Sequence, residues 1–289
     1  MHAPADTTHP ERESLEQRIK SALAEDIGVG DITAGSVVKY DHHASAEIVV
    51  KQPGVICGLE IAEMVFHQLE PRVDVLFRTS DGARVKEGEA LIRVEGSGRV
   101  ILQAERTALN LLSRMIGIST LTSQYVQAVE GTGVRILDTR KTTPLWRDIE
   151  KYAVRMGGGV NHRMGLYDMV LIKENHIRWA GGIAQAVNRS VESLRKYQPD
   201  TAIEVEIRNL KELDEVLAFE VDRVLLDNMT PEEVRSAVHK TAGKVEVEVS
   251  GGITLENLRA YAEAGVDYIS VGALTHSARA FDLSLLFQS

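Results

Sequence analysis

Apolar residues along the chain follow two rhythms in turn. Over 14–26, Leu15, Ile19, Ala22 and Leu23 recur at helical spacing and Gly28 follows, which predicts a helix that stops there. Residues 1–13 lack the apolar core of a signal peptide and read as a mobile tail. From 44 to 94 the rhythm shortens to β-type runs, AEIVV, VDVLF and ALIRV, separated by Pro53-Gly54, Asp81-Gly82 and Glu87-Gly88. These mark a small sheet-bearing domain over 14–116, which a helix over 99–116 completes, with Leu102, Leu109, Leu112 and Met115 on one face. From 117 to 275 the pattern is strand, polar turn, amphipathic helix. Strands are predicted at 134–138, 169–173, 202–207, 223–227, 245–249 and 268–271, and 142–161 reads as a helix with a glycine turn. Helix starts are written into Asn209 with Glu212, and into Thr230-Pro231-Glu232-Glu233. Near-continuous apolar strands alternating with helices imply a parallel sheet covered by helices.

The residues that end the strands choose between an open sheet and a closed one. In order they are Asp138, Arg140 and Lys141; Lys173 to His176; Glu204 and Glu206; Asp227 and Asn228; Ser250 to Gly252; Gly272 and Ala273. In a (β/α) barrel the carboxyl ends of all strands meet at one mouth, so these scattered groups would converge. The prediction is an irregular (β/α) barrel following a sandwich-like α/β domain. The last two strands end in SGGI and VGAL, where glycines let backbone N–H groups approach an anion such as a phosphate.

Arg140, Lys141, Arg163 and Lys173, with Arg106 on the preceding helix, are the candidate cations. Arg140, Lys141 and Lys173 end apolar strands, which is a poor address for ordinary surface charge. Cations crowded at one mouth lose solvation and repel one another, a cost that an anionic ligand offsets. More than one guanidinium fork suits a ligand with more than one carboxylate. Among the acids, Asp227 follows the buried run RVLL, whereas Glu204 and Glu206 alternate and equally suit the polar side of a strand. His162 adjoins the glycine turn, where a hydrogen-bonding and a purely structural role are equally open.

Composition sharpens this picture. The 289 residues carry 33 Lys and Arg against 42 Asp and Glu, a net charge of -9, which argues against a nucleic-acid partner. Within 134–178, however, nine basic residues face five acidic ones, so a positive segment is set in an acidic protein. Cys57 is the single cysteine, which excludes an intrachain disulfide and a thiolate zinc site and suits the cytoplasm. No run approaches the roughly 18 apolar residues of a membrane span.

Eight ordered motifs now stand together: EDIGVGDIT at 25–33, ERTALNLL at 105–112, DTRKTTP at 138–144, KYAVRMGGGVNHR at 151–163, LIKENH at 171–176, EVE at 204–206, LLDN at 225–228 and SGGI at 250–253. Together they resemble the quinolinate phosphoribosyltransferase family over essentially residues 14–285. One departure is Leu145, where the family usually places glycine after TTP, so the local loop differs. The resemblance implies that the C-terminal tail, 276–289, returns to the N-terminal domain. It implies a homodimer in which Arg106 serves the neighbouring subunit's site. Quinolinate would be bound by Arg140, His162, Arg163 and Lys173, with Thr139 beside them. Lys141, Glu206 and Asp227 would be the catalytic group facing phosphoribosyl pyrophosphate, with Asp227 meeting its Mg2+ mainly through the pyrophosphate. Ser250, Gly251, Gly252, Val271, Gly272 and Ala273 would cradle the 5-phosphate, with His276 nearby. The motifs also leave open a paralogous family linked to molybdenum transport, and a non-catalytic barrel that senses a phosphorylated ligand.

Overall fold

A computed structural model describes residues 12–39, 42–198 and 200–288. They fall into two compact units. The first holds the described residues through Ser123, Thr143–Gly158 and the residues from Ser277; the second holds Gln124–Thr142 and Gly159–His276.

In the first unit, the opening helix Arg12–Ile27 buries Leu15, Ile19 and Leu23. It starts two residues inside the expected tail, where an Arg12–Glu16 pair at 3.0 Å spans its first turn; the rest of that tail, 1–11, lies outside the described residues. The strands are β1 (His43–Val50), β2 (Gly54–Val55), β3 (Asp74–Phe77), β4 (Arg84–Val85) and β5 (Ala90–Ser97). In β1, Ala46, Ile48 and Val50 are fully buried while the residues between them are partly exposed, the period of a half-covered strand. The helix Leu59–Leu69, inserted between β2 and β3, buries Leu59, Ile61, Ala62, Val65 and Phe66.

The next helix runs Gly98–Ala128, past the expected end at 116. Gly117, Ser119, Thr122 and Ser123 look like a break in the sequence, yet two of these hydroxyls are absorbed locally. Thr122 Oγ1 donates to the Ile118 carbonyl at 2.8 Å, and Ser119 Oγ donates to that of Val55 at 2.6 Å. Ile101, fully buried, takes the core position expected of Leu102. The segment expected to run unbroken from 117 to 275 is interrupted as well. Thr143–Gly158 carries the helix Arg147–Met156, whose buried Glu150 accepts from Arg114 at 2.8 Å and from Thr143 Oγ1 at 2.7 Å. Tyr152 donates to Asp81 at 2.9 Å. These bonds tie the helix to the first unit.

The second unit is the barrel. Its strands are β6 (Arg135–Leu137), β7 (Val170–Ile172), β8 (Ile203–Ile207), β9 (Arg223–Asp227), β10 (Glu246–Ser250) and β11 (Tyr268–Ser270), all parallel, in the order β6-β11-β10-β9-β8-β7. At the β6 end of this order, Val160 adds an isolated parallel bridge to Leu137, an irregular extension of the sheet. Ile136, Val205, Ile207, Val224, Leu226, Val247, Val249, Ile269 and Val271 are no more than 2% exposed. They alternate with a second, largely polar set. Glu204 is in register with Arg223 and Arg223 with Glu246; Glu206 pairs with Leu225, Leu225 with Glu248, and Asp227 with Ser250. Residues in register share a face, and the pocket described below is lined from this polar set. The strands are therefore not continuously apolar. Their interior face is charged, where most barrels of this class are filled by aliphatic side chains.

After the barrel the chain re-enters the first unit as β12 (Leu283–Phe287), antiparallel to β1, giving the sheet order β12-β1-β5-β3. The approach needs Gly117, because any Cβ there would overlap the Arg279 carbonyl. Phe281 N donates to the Ser113 carbonyl at 3.0 Å beside this crossing.

Leu145 lies in the same unit at φ 67°, the left-handed region, with its side chain 82% exposed. A non-glycine residue there costs about 1–2 kcal/mol, and the greater unfolded-state freedom of glycine offsets about 0.5–1 kcal/mol of any relief. Leu145→Gly is therefore expected to stabilise the protein by roughly 0.5–1 kcal/mol in urea denaturation. A loss of stability would show instead that the leucine side chain contributes more than its backbone costs.

Candidate active site

At the carboxyl ends of the barrel strands lies a pocket of about 850 Å³. Thr139, Arg140 and Lys141 enter it after β6, His162 and Arg163 from the segment beside β6, and Lys173 after β7. Glu206, Asp227 and Ser250 enter from the ends of β8, β9 and β10; Gly251, Gly252, Val271, Gly272, Ala273 and His276 complete the rim. Arg106 is not among the lining residues: it is exposed on the helix Gly98–Ala128 of the first unit. Asn228, expected at the mouth from its place after β9, also lines the pocket, as do Glu248 and Ser270, which the strand-end pattern does not single out. EVEVS alternates exactly as IEVEI does, and that was the signal available for Glu248.

The rim is built by short-range constraints. Lys141 N donates to Thr139 Oγ1 at 3.0 Å, and Thr275 Oγ1 donates to the Lys141 carbonyl at 2.9 Å. A Cβ at Gly272 would stand 3.1 Å from both Lys141 Cδ and His276 Nε2, so glycine makes room for these two side chains. Lys173 Nζ pairs with Glu206 at 2.6 Å, and Asn228 Nδ2 donates to Asp227 Oδ2 at 2.8 Å. Arg163 is aimed by its bond to the Met169 carbonyl at 3.0 Å. Burial, and then the like charge of Arg140, lower its pKa from the ordinary arginine value. Arg140 Nε is buried with no hydrogen-bond partner among the described residues. Two guanidinium groups thus line the pocket side by side, one of them with a buried donor unspent.

Below them lies a buried ionic layer. Asp138, fully buried, accepts from His162 N at 2.9 Å. His162 Nδ1 accepts from Arg163 N at 2.7 Å, which leaves the ring proton on Nε2, 3.1 Å from Glu204 Oε2 and 3.6 Å from Glu248 Oε1. Sequence reasoning placed His162 on a substrate carboxylate; here both ring nitrogens are turned to protein groups. Arg223 donates to Glu248 and Glu246, each at 3.0 Å. Burial raises the pKa of both Glu204 and Glu248; their mutual charge adds to the effect on Glu248, and Arg223 opposes it at both. The alternating acids separate by depth. Glu206 lines the pocket, while Glu204 is fully buried and does not.

Two carboxylate environments bear on metal binding. His162, Glu204 and Glu248 bring three ligand-type atoms within 4.8 Å of one another, but the proton on His162 Nε2 removes the lone pair a metal would need. Asp227 is an oxygen donor at the pocket rim, and a hard cation carried mostly by phosphate oxygens needs little more from the protein. Its chemistry fits Mg2+.

The family model for the quinolinate phosphoribosyl transferase C-terminal domain matches residues 118–286, and that for the N-terminal domain matches 31–116. The chain is 43% identical over 282 residues to the carboxylating nicotinate-nucleotide pyrophosphorylase of Mycobacterium leprae, covering 95% of this chain and 98% of that one. It is 40% identical over 271 residues to the probable carboxylating nicotinate-nucleotide pyrophosphorylase of Bacillus subtilis, covering 94% and 92%. Among solved structures, the nicotinate-nucleotide pyrophosphorylase of Francisella tularensis superposes with a TM-score of 0.92 at 40% identity, covering 98% of this chain and all of that one.

The ionic layer generates a pH prediction. A carboxyl group whose proton affinity is raised by folding contributes its full stability below the ordinary carboxylate range and loses it as pH rises through the raised value. Glu204→Gln removes one such group. Its stability relative to the parent is expected to improve as pH rises from about 5 to about 8, by at most about 1.4 kcal/mol per pH unit. Denaturant titrations across that range measure it, and a difference independent of pH would contradict the assignment.

Proposed function

The chain belongs to the quinolinate phosphoribosyltransferase family, and from that premise we propose how its pocket residues carry the family's reaction. The protein is a decarboxylating pentosyltransferase of NAD biosynthesis. It joins quinolinate to the ribose of phosphoribosyl pyrophosphate, releasing pyrophosphate and CO2. The observation that carries the site assignment is the pair of guanidinium groups lining the pocket, Arg140 with its buried Nε unpartnered among the described residues and Arg163 close enough to feel its charge. A ligand with two carboxylates supplies an acceptor to each.

Arg140 and Arg163 hold the quinolinate carboxylates, with Lys173 and Thr139 at the edge. His162 braces this wall through its backbone and ring contacts rather than donating a ring N–H to the substrate. Lys141 faces the phosphates. Backbone N–H groups of Ser250 to Gly252 and of Gly272 and Ala273 receive the 5-phosphate, with His276 alongside; Val271, whose own N–H donates to the Leu137 carbonyl at 2.9 Å, contributes its place in the wall. Quinolinate nitrogen attacks C1 of the ribose as pyrophosphate leaves, and Glu206 and Asp227 stabilise the positive charge that develops on the sugar. Asp227 would also hold Mg2+, which when bound would supply neutralisation of the charge on the leaving group. The 2-carboxylate, now next to a cationic ring nitrogen, leaves as CO2; its bonding pair stays on C2, stabilised by the adjacent ring nitrogen, and C2 then takes up one proton from water. The protein's work is chiefly positioning and charge stabilisation.

The active form is a homodimer, in which Arg106 of one subunit completes the other's pocket. Its exposure on a helix outside the pocket-bearing unit supports this reading. The protein works in the cytoplasm; no helix among the described residues is long and apolar enough to cross a membrane.

Purified protein given quinolinate, phosphoribosyl pyrophosphate and Mg2+ is expected to release equal amounts of CO2 and pyrophosphate. Release of neither would favour the molybdenum-linked paralogue or a non-catalytic sensor. Arg163→Ala is expected to weaken quinolinate about 10- to 100-fold, the loss of one or two charge-assisted hydrogen bonds, while phosphoribosyl pyrophosphate binding survives. Normal turnover by that variant would remove Arg163 from the site. Arg106→Ala and Lys141→Ala, each inactive alone, are expected to regain activity when mixed, because a mixed dimer holds one intact site. Absence of complementation after subunit exchange would contradict the shared site.

A further inference from the structure

Glu204 and Glu248 occupy an unusual position at the floor of the pocket, Glu248 in its lining and Glu204 behind it. They stand on β8 and β10, either side of β9, and both are fully buried. Glu248 receives Arg223 at 3.0 Å and the Ser270 hydroxyl. Glu204 fares worse: among the described residues neither of its oxygens receives a well-directed hydrogen bond, although His162 Nε2 stands 3.1 Å away. Its oxygens are acceptors without donors, a state that costs the full desolvation penalty.

The surrounding groups define the remedy. His162 faces the pair from the segment beside β6, Arg223 from β9, Ser270 from β11 and Glu246 from one step lower on β10. Arg163 and Lys173 act on Glu204 from the pocket side through their charge. A metal ion is not the remedy, because His162 Nε2 carries a proton rather than a free lone pair. One proton between the two carboxyl groups is. It turns one acceptor into a donor and removes the repulsion of two buried like charges.

We propose that Glu204 and Glu248 are positioning residues that share one proton at the pocket floor, brace the His162 ring through it, and take that proton up from solvent as a dicarboxylate binds above. The physical link is the field of Arg163 and Lys173. In the free protein these cations favour ionised Glu204; a ligand whose carboxylates neutralise them removes that support, so the pair binds its proton more tightly. The inference rests on the proposed function, since it requires a dicarboxylate to sit at the arginine pair.

Calorimetric titration of quinolinate into the intact protein, in Tris and in HEPES at about pH 8, reads the proton count from the buffer dependence of the binding heat. The expected result is uptake of a fraction of a proton per site at about pH 8, fading at about pH 6 where the pair is already protonated. Glu204→Gln and Glu248→Gln are expected to bind quinolinate with that uptake abolished. A merely structural role would lower affinity and leave the proton count unchanged. Uptake that persists in both variants, or quinolinate binding without uptake in the parent, would overturn the proposal while leaving the functional reading intact. No quinolinate binding by the parent, with or without phosphoribosyl pyrophosphate, would overturn both. The parent's own pH series decides the matter even where a variant fails to fold.

Discussion

The barrel depends on one largely buried guanidinium. Arg223 enters the interior from the start of β9 and reaches Glu246 and Glu248 on the next strand, while its plane stacks on Tyr268 at 3.9 Å. Although burial works against its charge, Glu248, Glu204 and Glu246 together hold it above the ordinary arginine range. Buried ion pairs rarely repay their desolvation unless every partner is well placed. Here the register supplies the placement, because strand pairing sets Glu204 and Glu246 on either side of Arg223.

From that anchor the interior rises in layers. Arg135 stacks on the same tyrosine at 4.2 Å, below the carboxyl pair and His162. Above them Glu206, Lys173 and Asp227 open to the pocket, flanked by Arg140 and Arg163. Negative charge is concentrated in the depth and positive charge at the mouth. A small polyanion is therefore drawn to the mouth and kept from the floor. The same gradient explains why the protein can be acidic overall and still receive two anionic substrates.

Much of this was legible in the sequence because it rests on local chemistry. The six barrel strands, the Asn209 cap and the Thr230–Glu233 capping box lie where their residues predict. So do the polar strand ends, since a parallel barrel delivers every carboxyl end to one mouth. The helix Gly98–Ala128 was read short because its buried hydroxyls imitate a loop, and only their bonds to nearby carbonyls show otherwise. Thr143–Gly158 was read as barrel because adjacency in sequence says nothing of the long-range partners Arg114 and Asp81.

By itself the sequence determined the alternation of strand and helix, the chemistry at each strand end and the family. The side-chain period of a strand placed Glu204 and Glu206 on one face, and there its information ended. Depth along that face depends on how each strand is staggered against its neighbours, a property of the closed sheet. Only the tertiary structure decided that Glu206 meets the pocket while Glu204, two residues earlier, lies buried behind the His162 and Glu248 side chains that form part of its lining.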